Sequence, residues 1–363
     1  MIKLSGGEAA ILRLSNQFIC GSRLDDAGEL VRRMACVQAQ DFSMAKWALG
    51  CRLASATDRS IETAFRSGAV LRTHVLRPTW HFVHPEDLRW MLALSAPKIK
   101  ALSAPYLRKL GIDRAALRKS RRVILRELTG RPRVTREDLT LALERENLAV
   151  GENRIGFLLM DAELDGIICS AGRDGKKFTY QLLDNAVPPS ALRDRKECIG
   201  ELARRYFTTR GPSGLADFAW WAGLTMAEAR EGAQSNGKLL EQAKVGDKLY
   251  WFVAGMPECL TDGKSEALKK GTFFLPAFDE YAVAYKDRSL VLDPLLAQQC
   301  RSGLSPVIVH MGKIIGTWRR KTAKESGSGG LLETSLFTPI QATRQFKAAS
   351  ERYSAFAFPN GNA

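Results

Sequence analysis

The sequence predicts an α+β protein in which helical modules, each closed by a β-hairpin, precede a β-rich C-terminal domain. Three observations predict this class. A helix–helix–helix–hairpin pattern runs from about residue 120 to 183, weaker patterns of the same order lie on either side of it, and short apolar runs dominate beyond Gly255. With 363 residues, the chain is long for one hydrophobic core and suits several modules.

The clearest module starts with the helical segment SRRVILRELTG. Its residues Val123, Ile124 and Leu128 have helical spacing, and Gly130 follows as a stop signal. The residues 135–138 (TRED) are typical of a helix cap that starts at Thr135, which predicts a second helix that ends before Gly151.

The same module continues with RIGFLLMDAELDG, where one apolar stripe predicts a third helix. The next segment, IICSAGRDGKKFTYQLL, reads as two strands around an Asp-Gly turn. Three helices and a terminal hairpin are the layout of a winged helix-turn-helix. The third helix would then be the candidate reader of a DNA groove, with Arg173, Lys176 and Lys177 on the wing. Winged helices also dock proteins, so this alternative stays open.

Two further segments repeat this order less clearly. Residues 24–83 contain helix-like stretches and end in VLRTHVLRPTWHFV, which suits two strands broken at Pro78. Residues 198–253 predict a helix (CIGELARRYF), two more helical segments and the strand KLYWFV.

Beyond Gly255, short apolar runs separated by turn signals predict a small β-rich domain closed by a helix, IQATRQFKAASERYSAFA. Gly312-Lys313 is a candidate hairpin tip, and SGSGG at 326–330 is typical of a loop.

The charge of the chain favours a polyanionic partner. Lys and Arg number 54 against 39 acids, for a net charge of +15. The stretch from Lys98 to Arg136 alone contributes +11, because it holds thirteen basic residues and only the acids Asp113 and Glu127. This concentration beside the clearest winged helix predicts duplex DNA as the partner. The side chains predicted to contact DNA are Arg118, Lys119, Arg121, Arg122, Arg154, Arg173, Lys176, Lys177, Lys313 and Arg319.

The composition argues against several other classes of protein. The seven cysteines are odd in number and scattered without a C-x-x-C pair, which disfavours a disulfide framework and a zinc finger. The most apolar window, FAWWAGLTMA, is about half the length that spans a bilayer, and the N-terminus lacks the apolar core of a secretion signal. We therefore expect a cytoplasmic, nucleoid-associated protein without a membrane partner. No coiled coil or dimer helix is evident, so a monomer is expected.

Candidate chemical groups are few. His81 and His84 lack a nearby Cys or His pair that would complete a metal site, so we expect no metal and no cofactor, and His81 stays a secondary candidate. Asp279 and Glu280 lie in an apolar run, where an inward carboxylate could be a general base. A cap or a salt bridge is the commoner fate of such an acid, so Asp279 is also secondary.

The Gln38-Ala39-Gln40 motif follows the segment AGELVRRMACV. There Leu30, Met34 and Gln38 are spaced as on one face of a helix. On a continuing ideal helix Gln40 would point about 200° away from Gln38, so both amides could share a pocket only if the helix ends or distorts. Two inward amides can hold a water or a base edge, because each has donors and an acceptor. Spacing alone favours a simpler hydrogen-bond role between helices.

Five stretches in this order resemble a bacterial winged-helix DNA-binding family that includes the AlkZ-like DNA glycosylases. They are VQAQDFSMAKWALGCRL, VLRTHVLRPTWHFV, RYFTTRGPSGLADFAWWAGL, LPAFDEY and GKIIGTWRR, which together extend from residue 37 to 320. The resemblance implies three tandem winged helix-turn-helix modules and a C-terminal β-barrel-like domain that form a C-shaped DNA clamp. The implied division is 1–97 for winged helix 1, 98–189 for a basic connector and winged helix 2, 190–256 for winged helix 3, and 257–363 for the β-rich domain.

The resemblance also implies an activity. Gln38 and Gln40 would position the water that hydrolyses the N-glycosidic bond of a cationic N7- or N3-alkylpurine, and interstrand crosslinks would be possible substrates. The motif positions no lysine as a Schiff-base nucleophile, so a monofunctional glycosylase is expected. A hairpin that probes the DNA groove is implied as well, and the Gly312-Lys313 turn and the wing near Arg173 both qualify. The alternative is a non-catalytic winged-helix regulator, which would need sequence-specific base contacts. RNA binding is disfavoured, because no RNP-like aromatic strand motif is present.

Overall fold

The computed structural model describes residues 2–190, 193–256, 271–321, 332–337 and 344–359. The chain folds into two compact units. Unit 1 comprises Met1–Ile61 and Ile199–Ala363, and unit 2 is the continuous segment Glu62–Cys198.

The described α-helices are numbered in chain order. They are α1 (Gly6–Asn16), α2 (Ala27–Arg33), α3 (Phe42–Gly50), α4 (Asp58–Ser67), α5 (Pro85–Lys109), α6 (Arg114–Leu128), α7 (Arg136–Arg145), α8 (Arg154–Leu164), α9 (Leu183–Ala186), α10 (Arg195–Arg210), α11 (Leu215–Ala222), α12 (Met226–Gln234), α13 (Glu280–Val283) and α14 (Arg344–Ala357). Gly237–Leu239 and Pro294–Gly303 are 3₁₀-helical.

The described strands are numbered in the same way. They are β1 (Ile2–Leu4), β2 (Cys36–Gln38), β3 (Leu71–His74), β4 (Trp80–Val83), β5 (Val134–Thr135), β6 (Ile168–Asp174), β7 (Lys177–Leu182), β8 (Leu240–Val245), β9 (Lys248–Val253), β10 (Thr272–Leu275), β11 (Val307–His310), β12 (Lys313–Arg320) and β13 (Leu332–Leu336).

Unit 2 contains the predicted helix–helix–helix–hairpin module. Helices α6, α7 and α8 precede the antiparallel hairpin β6–β7, and β5 pairs with β7. The cap predicted at Thr135 is confirmed: its side chain accepts a hydrogen bond from the backbone N–H of Asp138, and the Asp138 carboxylate accepts one from the N–H of Thr135. The predicted core residues Val123, Ile124 and Leu128 are buried in one cluster with the apolar stripe of α8. Strands β4, β3, β6, β7 and β5 follow one another in the sheet of this unit.

The flanking segments also place helices before a hairpin. Helices α3 and α4 precede the antiparallel pair β3–β4, on either side of Pro78 as predicted. Helices α10, α11 and α12 precede the hairpin β8–β9, and β1 adds to β8 in parallel.

The C-terminal part of unit 1 is β-rich, as predicted, but its described strands form no closed barrel. Strands β10, β11, β12 and β13 make a four-stranded antiparallel sheet in that order. The closing helix α14 is confirmed, and its Tyr353 ring lies 4.7 Å from that of Trp318 on β12. The run around Glu280 forms the short helix α13 instead of a strand. Residues 326–330 lie outside the described part.

Two expectations on composition can be compared with the fold. The six cysteines other than Cys259, which lies outside the described ranges, are buried. Burial raises the pKa of Cys20 to about 12 and that of Cys51 to about 11, so these thiols are inert at neutral pH. No helix in the described residues is long and apolar enough to cross a membrane.

Candidate active site and nucleic-acid interface

The segment that carries the two glutamines is a short strand and not a helix. Helix α2 ends at Arg33, Ala35 takes a left-handed conformation (φ +62°), and the chain then enters β2, whose last residue is Gln38. The prediction of a helix through Gln38 was therefore wrong. Gln40 lies at a bend beyond the end of β2, so the helical separation of about 200° does not apply to the two glutamines.

The environments of the two glutamines differ. Gln38 is buried and Gln40 is exposed, with the small Ala39 buried between them. Directly after them, Asp41 caps α3 by accepting a hydrogen bond from the backbone N–H of Met44 at 3.0 Å. The motif thus lies in a short connection between a buried strand and a helix start.

The strand β2 is held by a buried carboxylate. Glu280, at the start of α13, accepts a hydrogen bond from the backbone N–H of Gln38 at 3.0 Å through its Oε1. Its Oε2 accepts from Nε and Nη2 of Arg210, at 3.0 and 2.8 Å, and from the indole N–H of Trp221 at 3.1 Å. Glu280 and Arg210 are both fully buried. A charge so far from water persists only when it is paired and hydrogen-bonded, as it is here.

Arg210 also donates to the chain that leads into β2. Its Nη1 bonds to the carbonyl oxygen of Met34 at 2.9 Å, and its Nη2 bonds to that of Cys36 at 2.8 Å. The planar guanidinium suits this role, because it has five donors in a fixed fork. One side chain therefore joins α10 to the carbonyl groups on both sides of Ala35.

The neighbouring Asp279 has a structural role. It caps α13 through the backbone N–H of Tyr281 and forms a bidentate ion pair with Arg52, with both N–O distances at 2.8 Å. Burial alone would lower the pKa of Arg52, but the negative charge of Asp279 outweighs burial and raises it. Asp279 is 1% exposed and has the cap and the salt bridge that are the common fates of such an acid. We therefore do not retain it as a general base.

A hydrogen-bonded chain links the two ion pairs. Arg52 donates to the side-chain oxygen of Gln17 at 3.0 Å, Gln17 donates to the hydroxyl of Tyr285 at 3.0 Å, and that hydroxyl donates to the carbonyl oxygen of Arg210 at 2.9 Å. Burial raises the pKa of Tyr285 to about 12, so its hydroxyl stays protonated and can donate.

The histidine candidates have ordinary structural contacts. His81 is buried on β4, with its Nδ1 2.9 Å from the carbonyl oxygen of Thr79. His84 caps α5 by accepting from the backbone N–H of Glu86. Among the described residues, no group of three or more His, Cys, Asp or Glu side chains is arranged to hold a metal ion.

Half of the predicted DNA-binding side chains are free to meet a partner. Arg118 and Arg122 are exposed on α6, Lys119 is half-buried beside them, and Lys176 and Lys177 are exposed at the β6–β7 turn. None of these five forms an ion pair within the described ranges.

The other half are engaged within the protein. Arg121 forms ion pairs with Asp161 and Asp165, both at 2.6 Å. Three more have partners as follows: Arg173 forms a bidentate pair with Glu62, Arg319 pairs with Glu333, and Arg154 donates to the carbonyl oxygen of Leu110. Lys313 donates to the carbonyl oxygen of Leu290 at 2.7 Å. Internal partners compete with phosphates, so these five are weaker candidates than their neighbours.

Helix α8 does not suit the predicted role of groove reader. Every one of its residues is buried or half-buried, because the helix packs against α5, α6 and β3. Its C-terminal half also carries the acids Asp161 and Glu163, which would repel phosphates.

The two candidate probing hairpins differ in their surroundings. At the β11–β12 turn Gly312 is buried, and a Cβ atom there would lie 2.8 Å from that of Ala10 in α1. The hydroxyl of Tyr281 donates to the carbonyl oxygen of Gly312 at 2.8 Å, which fixes this turn to the protein. In contrast, residues 174–177 at the β6–β7 turn are all exposed. Met311 and Lys313, on either side of Gly312, are exposed too, so both turns stay candidates for the probing hairpin.

Sequence reasoning missed the partners of the glutamine segment. It noted Glu280 as unusual but did not connect it to Arg210 or Trp221, which lie 70 and 59 residues away. One signal was available in the sequence, namely that Glu280 lies inside an apolar run. A buried charge requires an opposite charge, so this position indicated a basic partner elsewhere in the chain.

Comparison with known proteins agrees with this architecture. A family model described as "DNA glycosylase AlkZ-like" matches residues 31–356. The interstrand DNA cross-link repair glycosylase of Streptomyces sahachiroi is 23% identical over 334 residues, which cover 87% of this chain and 88% of that protein. The solved structure of Streptomyces sahachiroi DNA glycosylase AlkZ matches with a TM-score of 0.79 at 21% identity and covers 98% of both chains, so the fold is shared. Because the family model spans nearly the whole sequence, the chain belongs to the AlkZ-like DNA glycosylase family.

Proposed function

We propose that this DNA glycosylase hydrolyses the N-glycosidic bond of cationic N7- or N3-alkylpurines in duplex DNA, with Gln38 and Gln40 positioning the water. The observation that carries the assignment is the strand end at Gln38. It is braced by the buried Glu280–Arg210 pair and followed two residues later by the exposed Gln40. Such a segment can hold two amides at one fixed place while one of them reaches solvent.

The chemistry suits neutral amides. An alkylated purine carries a positive charge and leaves with the electron pair of the bond between its glycosidic nitrogen and the anomeric carbon. Water adds to that carbon and releases a proton to solvent. A glutamine is too weak a base to activate water for a poor leaving group, but it can orient water and stabilise developing positive charge through its carbonyl oxygen. Undamaged bases, which are neutral, should therefore react very slowly.

The name of the Streptomyces sahachiroi relative extends this proposal to crosslinks. That protein is called an interstrand DNA cross-link repair glycosylase. A crosslink made through N7 of two purines presents the same cationic leaving group, so we propose that this chain unhooks such crosslinks too.

We also propose the finer architecture and the setting. The chain would grip DNA as a C-shaped clamp of three winged helices (1–97, 98–189 and 190–256) and a β-rich domain (257–363). The repeated order of helices before a hairpin supports this division. The enzyme would act as a monomer at the nucleoid without a metal or cofactor, because a cationic leaving group needs no Lewis acid.

A duplex with a single 7-methylguanine tests the activity. We expect the wild type to release the methylated base well above the uncatalysed rate, and Gln38→Ala and Gln40→Ala each to lower the single-turnover rate by about 10- to 1000-fold. Release of the base is measured by cleaving the abasic product and separating the strands. The matched control is Gln234→Ala, an exposed glutamine at the end of α12 that should behave as wild type. Equal rates for the wild type and the Gln38/Gln40 double variant would reject the assigned site. DNA binding with no base release at all would instead favour a regulator.

A further inference from the structure

We infer that Glu280 is a positioning residue for the proposed reaction, and that it acts through the backbone of the strand that carries Gln38. The inference rests on the proposed role of Gln38 and Gln40. Its first observation is that Glu280 divides its two oxygens between two tasks: Oε1 accepts from the backbone N–H of Gln38, and Oε2 accepts from Arg210 and Trp221. The carboxylate therefore couples the glutamine strand to α10 and α11.

The second observation is a strained residue between the two points where Arg210 holds the chain. Ala35 has a φ of +62°, a conformation that a residue with a Cβ atom rarely adopts. The carbonyl oxygens of Met34 and Cys36, on either side of it, both accept from Arg210. Strained backbone persists where its surroundings over-determine it, and such positions cluster at functional sites. Here the left-handed residue lies between the end of α2 and the start of β2, directly before the strand that ends at Gln38.

The third observation is a neighbouring ion pair that can serve as an internal comparison. Asp279 and Arg52 match Glu280 and Arg210 in charge and burial. Their partners are different, however: Gln17, the carbonyl oxygen of Ala48 and the start of α13. Within the described part of the chain, Asp279 has no hydrogen bond to residues 34–40. It therefore stabilises the same region without holding the glutamine strand.

Variants of the two carboxylates should therefore differ in their effect on catalysis. Glu280→Gln keeps the size of the side chain but removes the charge that holds Arg210, so β2 can shift. A displacement of about 1 Å in a positioning group lowers rates by up to about 100-fold. We expect Glu280→Gln to lower the single-turnover rate of 7-methylguanine release by about 10- to 100-fold, with DNA affinity unchanged within about twofold. Asp279→Asn should lower the melting temperature by a similar amount, yet keep the rate within about threefold of wild type.

The experiment measures both variants below their unfolding transitions, with enzyme in excess over a 7-methylguanine duplex. Hydrogen exchange of a peptide that covers residues 34–38 gives a second readout that does not depend on activity. The backbone N–H of Gln38 should exchange faster in Glu280→Gln than in wild type, and at the wild-type rate in Asp279→Asn. Introducing Glu280→Gln into a Gln38→Ala background should then lower the rate by a smaller factor than it does in wild type, because one of the two amides on the segment that it positions is already gone.

Each outcome decides the matter. Equal losses of activity in Glu280→Gln and Asp279→Asn, with Gln38→Ala still impaired, would overturn the positioning role and leave the proposed function intact. Full activity of Gln38→Ala would overturn the proposed site and this inference together. If Glu280→Gln does not fold, Trp221→Phe removes one neutral donor to Oε2 and keeps most of the ring. It should show faster exchange at Gln38 and a rate lowered by about two- to fivefold, and wild-type values for both would overturn the inference.

Discussion

At the scale of single residues, unit 1 contains two buried ion pairs that involve adjacent carboxylates. If the adjacent carboxylates Asp279 and Glu280 shared one arginine, one buried negative charge would stay unbalanced. Instead, each bonds to its own arginine, Arg52 or Arg210. Removing one member of a buried pair is strongly destabilising, because it leaves the other charge uncompensated. A buried pair of this kind can fix one arrangement of the chain, which would suit the proposed site of Gln38 and Gln40.

Glu201 in α10 provides a test of pH dependence. Burial would raise its pKa, but hydrogen bonds and charge from Arg204 and Arg205 outweigh burial and lower it from 4.5 to about 2. The folded state therefore holds the carboxylate more strongly than the unfolded chain does. The resulting stabilisation is complete above about pH 4.5 and is lost as the pH falls towards 2.

We expect Glu201→Gln to lower the free energy of unfolding by about 1–2 kcal/mol at pH 7, after allowance for solvent screening. The difference from wild type should shrink by pH 3. Urea unfolding at pH 7, 4 and 3 measures it, with Glu241→Gln as the control because Glu241 is exposed on β8 without an ion pair in the described chain. A difference that stays constant from pH 7 to pH 3 would contradict the assigned cause.

At the scale of elements, helix α6 has two faces with different tasks. One face buries Val123, Ile124 and Leu128 in the core of unit 2. On the other face Arg114, Arg118 and Arg122 are exposed at a spacing of four residues, which places them in one line along the helix. The acids Asp161 and Asp165 pair with Arg121, whereas Arg114, Arg118 and Arg122 form no ion pair within the described residues. The arginine line is therefore the strongest candidate for phosphate contacts.

Replacing Arg118 and Arg122 together by alanine should weaken binding to undamaged duplex DNA about tenfold at about 100 mM salt. It should also reduce the slope of log affinity against log salt by about 2, because each lost phosphate contact removes about 0.9. Fluorescence anisotropy over a salt series gives both values. The matched control is Arg121→Ala on the same helix, which should lower the melting temperature but change the slope little. If Arg121→Ala reduced the slope of log affinity against log salt by as much per arginine, an internal ion pair would not predict which arginines contact phosphates.

At the scale of the whole molecule, the two units contain different parts of the proposed activity. Unit 1 holds Gln38, Gln40 and Glu280, whereas unit 2 holds the basic stretch from Lys98 to Arg136. Unit 2 is also a continuous segment with its own core. We therefore expect unit 2 alone to bind DNA non-specifically without catalysing the release of a base.

A fragment of residues 62–198 tests this separation. We expect it to unfold cooperatively on heating and to bind undamaged duplex DNA with a strong salt dependence. It should release no 7-methylguanine, because both glutamines are absent. Circular dichroism, anisotropy and the base-release assay measure these three properties. A fragment with no cooperative transition would show that unit 2 depends on the rest of the chain.

The predictions that succeeded concern elements whose signals lie within a few residues of one another. The helices and hairpin between residues 114 and 182 were predictable, because their periodicity, the Thr135 cap and the Asp-Gly turn all act over a few residues. The helical spacing was extended to Gln38, but Gln38 ends a strand and Gln40 lies at a bend after it. Leu30, Met34 and Gln38 fit helical spacing equally well, and no local signal reports that Arg210 holds the carbonyl groups on both sides of Ala35. Likewise, charge counting could not separate exposed Arg118 from Arg121, whose partners Asp161 and Asp165 lie 40 or more residues away.

The sequence by itself determined the α+β class, the helix–helix–helix–hairpin module in unit 2, the basic stretch and the family, since these depend on short-range patterns and on ordered motifs along the chain. Tertiary structure alone decided which basic side chains remain exposed and that every residue of α8 is buried or half-buried. It also decided that Glu280 and Arg210 hydrogen-bond to the strand that ends at Gln38. The physical reason is that burial and ion pairing are properties of residues brought together from distant parts of the chain. Their energies depend on distance and on exclusion of water, and neither can be read from spacing along the sequence.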